Sequence, residues 1–329
     1  MKCGALVYAT DQGLGVLAKS FYDHGIVTDA FIINHAHWPT HADWYPNAKR
    51  ADARHLNRHS SAIKAFCREM DVMLFFEMPF DWSLIPYCRE NKVKTILMPM
   101  YECEPRHMPH LPDLMLCPSQ LDLQWAESLP GCTAQYLPVP VDVPWRLRTR
   151  AEVYVHNAGH GGLKGRNGTG TVIDAMRYVK SPIKLILRSQ GPLQWDVTGA
   201  NIDVRVGTIP WDQLYDEGDV FVFPERFNGL SLPLQEARAA GMLVIATDRF
   251  PINTWLPAGG LVKPSGTLRS CVSPRCVEYD DAIVDPRDLA ARMDEWYGRD
   301  LITYSLDGRA WADSMSWEVL KPQYLKVLL

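Results

Sequence analysis

Residues 223–241 read F-P-E-R-F-N-G-L-S-L-P-L-Q-E-A-R-A-A-G. Pro233 suits a first helical turn, and Gly241 is placed to end the helix. A glycine-containing loop thus leads into a helix expected over 231–240. Free N–H groups at Gly229, Leu230 and Ser231 would face an anion at such a helix start. Glu236, one turn further in, could accept two hydrogen bonds from ribose hydroxyls. A second set lies upstream, where residues 157–168 read N-A-G-H-G-G-L-K-G-R-N-G ahead of a helix expected over 169–179. Glycines admit close approach, and Lys164 and Arg166 add fixed charge, a combination suited to a diphosphate. The spacing is not that of a Walker A loop, G-x-x-x-x-G-K-[ST].

Other candidates lie in the first 110 residues. The turn at 10–15 carries Gly13 and Gly15, which either let a ligand approach a helix start or simply make a tight turn. Ala18 stands where G-x-G-x-x-G needs its third glycine, which argues against a nicotinamide or flavin cofactor. His35, His37 and His41 could ligate a metal, but no matching acidic or cysteine set follows. Together with Trp38 they better suit a loop or cleft that stacks on a sugar or base. Lys49, Arg50, Arg54 and Arg58 stand against Asp52 over 49–59, either as a solvated helix face or as a patch for an anionic acceptor. Glu77 falls at the tip of an expected strand, as a base, a sugar-hydroxyl acceptor or a solvated loop carboxylate.

Positioning these groups needs an α/β scaffold. Apolar runs at 3–9, 30–33, 71–76, 93–98 and 113–117 read as strands, with helices between several of them. Strand, glycine loop, helix, strand is the opening of a doubly wound sheet. The proline-dense stretch 137–144 reads as a boundary. A second set of strands follows at 152–156, 183–187, 202–206, 219–223 and 242–247. The 329 residues allow two domains, with 47% apolar and 22% charged residues and a formal net charge of −4. This balance gives no global pull toward nucleic acid or an anionic membrane. Eight scattered cysteines with no C-x-x-C point to free thiols in a reducing, cytoplasmic setting. No signal peptide or transmembrane run is expected.

The stretch Gly229-Leu230-Ser231-Leu232-Pro233-Leu234-Gln235-Glu236-Ala237 resembles the donor signature of family-four glycosyltransferases, E-G-F-G-L-P-x-x-E-A-x-A-x-G. Glu236 matches the second glutamate, and Asn228 holds the place of the first. Lys164-Gly165 resembles the end of the family's G-R-x-x-x-x-K-G loop, with His160 near the arginine position and Arg166 close by. Leu261-Val262-Lys263-Pro264 and Trp317-Glu318 also resemble family motifs, whereas 269–281 is an unmatched insertion.

The resemblance implies a GT-B fold, two doubly wound Rossmann-like domains facing across a cleft. Residues 1–140 would form the acceptor-side domain and 141–313 the donor domain, with a last helix at about 314–329 returning to the first. It implies transfer of a sugar, with retention, from a UDP- or GDP-linked donor to a hydroxyl, without a metal or other cofactor. Lys164, Asn228 and Glu77 would be catalytic. Gly13, Gly15, His160, Lys164, Arg166, Gly207, Gly229, Leu230, Ser231 and Glu236 would hold the donor, with Gly207 against the base. His35, His37, Trp38, Arg54 and Arg58 would meet the acceptor: a glycan, a small molecule or a hydroxylated DNA base. A nucleotide-sugar 2-epimerase or hydrolase, or a binding protein without catalysis, are the alternatives.

Overall fold

The computed structural model describes residues 1–159, 165–198 and 200–329. By internal contacts the chain divides into two units. The first comprises Met1–Val139, Cys271–Val277 and Trp317–Leu329; the second comprises Pro140–Ser270 and Glu278–Ser316.

In the first unit the order is β1 (Cys3–Val7), α1 (Gly13–Asp23), β2 (Asp29–Asn34), β3 (Lys49–Asp52), α2 (Leu56–Arg68), β4 (Val72–Glu77), α3 (Leu84–Glu90), β5 (Lys94–Pro99), β6 (Leu114–Cys117), α4 (Gln120–Glu127) and β7 (Ala134–Tyr136). The strands form one parallel sheet in the order β3-β2-β1-β4-β5-β6-β7. Strands covered on both faces read as continuous apolar runs, as Val72–Phe76 does.

The second unit continues with β8 (Val153–Gly159), α5 (Thr169–Ala175), β9 (Lys184–Ser189), β10 (Ile202–Val206), β11 (Val220–Phe223), α6 (Leu232–Ala239), β12 (Leu243–Thr247) and β13 (Leu261–Val262). Its sheet is also parallel, in the order β10-β9-β8-β11-β12-β13. An antiparallel pair follows, β14 (Gly266–Ser270) and β15 (Tyr279–Ile283), then α7 (Pro286–Trp296) and α8 (Ile302–Ser314).

The final helix, α9 (Trp317–Leu328), belongs to the first unit. Trp317 and Tyr324 meet Phe21 edge-on, with ring centroids 5.1 and 4.9 Å away. Trp317 Nε1 donates to Ser20 Oγ at 3.0 Å, and the Tyr324 hydroxyl donates to the Pro138 carbonyl at 2.9 Å. Each edge-on ring pair adds about 1 kcal/mol beyond its buried area.

Residues 49–59 are not one helical face. Ala51 is buried because β3 pairs with β2, setting Ile33 opposite Ala51, and helix begins only at Leu56. The unmatched stretch 269–281 is mostly the β14–β15 pair and its tip. Within the first unit the tip runs beside residues 104–106: Val277 N–H donates to Glu104 O and Arg106 N–H to Arg275 O, both at 2.9 Å. Among the described residues no helix is long and apolar enough to cross a membrane.

Candidate functional site

Strand order in the second unit runs outward in both directions from β8 and β11. The loops that follow these two strands lie at the point where the strand order turns, the place where open α/β sheets bind ligands. Local sequence ties the loops together. The Arg226 N–H donates to Arg166 O at 2.8 Å, and Arg166 Nε donates to Phe227 O at 3.0 Å. Gly168 has φ +73°, and a Cβ there would lie 2.2 Å from Pro224 O, so only glycine fits. His160 and Lys164 lie outside the described residues.

The loop from Pro224 to Ser231 is held from within. Glu225 is fully buried and pairs with Arg249, whose guanidinium also donates to Asn228 O at 2.9 Å and sits over the Phe227 ring. Burial raises the Glu225 pKa, and the neighbouring Arg249 opposes that rise. Glu225 is thus an anchor inside the loop. The Asn228 Oδ1 accepts from Ser231 N–H at 2.9 Å and Leu230 N–H at 3.3 Å. These are two of the donors expected to face an anion, and a short polar side chain has engaged them instead. Ser231 takes φ +55°, uncommon for a residue with a Cβ and costing on the order of 1 kcal/mol. That conformation makes Leu232 the first helical residue.

Glu236 is half-buried on α6. The Tyr215 hydroxyl donates to its Oε2 at 2.7 Å, and Trp211 Nε1 donates to its Oε1 at 3.4 Å. Burial pushes the Glu236 pKa up to about 7, against the pull of these two donors. The turn that carries Trp211 and Tyr215 is fixed by two buried arginines. Arg148 donates to Tyr215 O and Gly218 O at 2.6 Å and to Asp216 O at 3.1 Å. Arg188 donates to Leu214 O and pairs with Glu217 at 2.7 Å. Gly207, at φ +144°, closes β10 with its N–H on Ser189 O at 2.9 Å.

His156 is fully buried between strand and helix. Its Nδ1 lies 2.7 Å from Val222 O and its Nε2 2.8 Å from Thr169 Oγ1. Burial lowers its pKa to about 4, so the ring is neutral, with Nδ1–H donating and Nε2 accepting. Sequence reading missed His156, Arg148, Arg188 and Tyr215. Only Tyr215 left a signal, since its spacing from Trp211 puts both on one side of a turn.

In the first unit the order turns outward at β1 and β4. A Cβ on Gly15 would lie 2.2 Å from Thr10 O, so close packing of α1 against the preceding turn accounts for that glycine. Gly13 is exposed. Glu77 ends β4 with φ +66°, and its Oε1 accepts from the Cys103 thiol at 2.9 Å. The Tyr8 ring meets His35 and Phe80 edge-on, at 5.0 and 4.9 Å. Burial raises the Tyr8 pKa, and the Glu77 charge adds to the rise. His35 Nδ1 accepts from His37 N–H at 3.1 Å, and its ring lies 6.2 Å from that of Trp38. Arg54 donates to Ala36 O, whereas Arg58 is exposed on α2. His41 is taken up by Asp11, 2.9 Å away. The structure therefore gathers His35, His37, Trp38 and Arg54 about one loop, with the Tyr8 ring against His35.

No family model and no curated protein matches the sequence. Solved structures do match, over the whole chain. HepE of Anabaena, in complex with UDP and glucose, is 11% identical with a TM-score of 0.70, covering 100% of this chain and 99% of its own. Sucrose-phosphate synthase from Thermosynechococcus elongatus is 15% identical with a TM-score of 0.66, over 99% and 98%. The lipopolysaccharide outer core galactosyltransferase WaaB is 14% identical with a TM-score of 0.62, over 100% and 99%. The fold is GT-B. The two parallel sheets described above are the Rossmann-like halves of that GT-B fold. At these identities the likeness concerns the fold, and the chemistry has to be argued from the side chains.

Proposed function

We propose that this chain transfers a sugar from a nucleotide diphosphate sugar to an acceptor hydroxyl. The observation that carries the reading is Glu236. It is a carboxylate at the strand ends of the second sheet, one turn into α6, with one donor on each oxygen among the described residues. Such a group suits a ribose diol. HepE, of the same fold, has been solved with UDP-glucose bound, which supports a nucleotide sugar as the partner here.

As the glycosidic bond breaks, negative charge builds on the diphosphate. Arg166 and Lys164 would stabilise it, each charge-assisted hydrogen bond being worth on the order of 1.5–3 kcal/mol. On this reading no metal is required. The leaving phosphate takes the acceptor proton on the face it departs from, which gives retention. His35, His37, Trp38, Arg54 and Arg58 would meet the acceptor, Glu77 would be a catalytic group, and Gly13 and Gly15 would contact the donor. A glycan, a small alcohol or a hydroxylated DNA base would be the acceptor; strong salt dependence of acceptor binding would mark the last.

The test is turnover of UDP-, GDP- and ADP-sugars, alone and with each acceptor class. Sugar appearing on an acceptor supports the reading. Release of free or epimerised sugar without acceptor would replace it with a hydrolase or epimerase. One observation favours a further reading, a binding protein without turnover. Asn228 stands in the glutamate place with its Oδ1 engaged, and Glu225 is locked to Arg249. A donor that binds and is never consumed would establish it.

A further inference from the structure

A carboxylate that receives a diol has to keep the right lone pairs open and has to be charged. An ionised carboxylate offers about four acceptor positions over its two oxygens. On Glu236, the Tyr215 hydroxyl takes one on Oε2 at 2.7 Å and Trp211 Nε1 takes one on Oε1 at the longer distance of 3.4 Å. Both donors come from one turn. Its backbone is fixed from two other elements, by Arg148 from the segment before β8 and by Arg188 from β9.

We propose that Tyr215 is a positioning residue that, with Trp211, aims Glu236 so that one lone pair on each oxygen stays open to a vicinal diol, its hydroxyl bonding the carboxylate in the charged form that the diol needs. This rests on the donor-site reading above. A hydrogen bond to the charged form favours that form, so Tyr215 works against the burial that pushes Glu236 toward protonation. Among the described residues, the charged groups around the pair are engaged elsewhere. Arg188 is spent on Leu214 O and Glu217, and Arg148 on three carbonyls. Asp216 and Glu217 lie on the turn itself, and Arg205 neutralises Glu217 from β10. Tyr215 is buried, and its own proton is held well above the ordinary tyrosine value by burial and by Glu236, so it remains a donor throughout.

The test measures affinity for the tightest-binding nucleotide sugar from about pH 5 to about pH 9 in wild type, Tyr215→Phe, Trp211→Phe and Glu236→Gln. A nucleotide sugar is used because its diphosphate is esterified at both ends and does not titrate in this range. Wild-type affinity should rise about tenfold per pH unit and level off above roughly pH 7. In Tyr215→Phe the bend should move up by about one pH unit, with affinity returning to within about threefold of wild type at the alkaline end. Trp211→Phe, with the weaker hydrogen bond removed, should move the bend in the same direction by less, and it serves if Tyr215→Phe does not fold. Glu236→Gln should bind weakly and without a bend. An unmoved bend in Tyr215→Phe, or in Trp211→Phe where that variant serves, would overturn the proposal, even if affinity fell uniformly. A Glu236→Gln protein that binds as well as wild type would instead overturn the donor-site reading beneath it.

Discussion

Glu236 is half-buried, yet the proposed role requires its charge, and that conflict has a measurable sign. Its pKa in the folded chain, about 7, stands above the ordinary 4.5. Folding therefore favours the protonated form. The stability this contributes is complete below the ordinary carboxylate value and is lost as pH rises through 7. Glu236→Gln keeps an acceptor for Tyr215 and carries no charge. It should melt near wild type at acidic pH and above wild type at about pH 8, while losing nucleotide affinity. A variant that melts lower at both pH values would assign Glu236 a structural role instead. The residue itself was legible in the sequence, because a glutamate one turn into a helix after a glycine loop has a chemistry of its own. Its donors were not. Tyr215 and Arg148 acquire their meaning from partners more than twenty residues away, which only the folded chain brings together. Asn228 was visible as a polar substitute for a glutamate, but its use as an internal cap on Leu230 and Ser231 depends on the loop geometry.

At the scale of elements, His156 and the two close-approach glycines decide how the strands meet their loops. His156 joins β8 to β11 and to the start of α5, and it is neutral because burial holds its pKa at about 4 against an ordinary 6.5. Its folded-state pKa is depressed, so the stability it contributes is present above about pH 6.5 and declines as pH falls toward 4. That interval corresponds to about 3 kcal/mol. Urea unfolding of wild type and His156→Phe should thus show a stability gap that is largest near neutral pH and narrows by roughly that amount toward pH 4. A gap independent of pH would contradict the neutral, bridging histidine. Gly168→Ala meets the Pro224 carbonyl at 2.2 Å and should destabilise by at least about 2 kcal/mol, against a small effect for the exposed Gly13→Ala. Strands such as β11 and β12 were legible because both faces are buried and the apolar run is continuous. The edge strand β3 was not, since K-R-A-D has one apolar residue and becomes a strand only by pairing with β2.

At the scale of the whole chain, the path passes between the two units after Val139, Ser270, Val277 and Ser316. The first of these passages lies within the proline-dense stretch 137–144. The excursion of Cys271–Val277 had no local signature, because it rests on backbone hydrogen bonds to residues 104–106. Trp317 completes the first unit by packing on Phe21 and stacking on His24 at 4.3 Å. Trp317→Ala should cost about 3–5 kcal/mol of stability, read as a lower urea midpoint. Nucleotide affinity, which the proposed function assigns to the second unit, should stay within about twofold of wild type. An equal loss of affinity would deny that division of labour. The most direct measurement is calorimetric titration of UDP, GDP and ADP into wild type and Glu236→Gln at about pH 8.5, well above the value of about 7 to which burial pushes Glu236. One nucleotide should bind, and the substitution should weaken it at least about tenfold, as expected when a charged acceptor is lost from a diol. Absence of binding by all three, or equal affinity in both proteins, would contradict the donor-site reading.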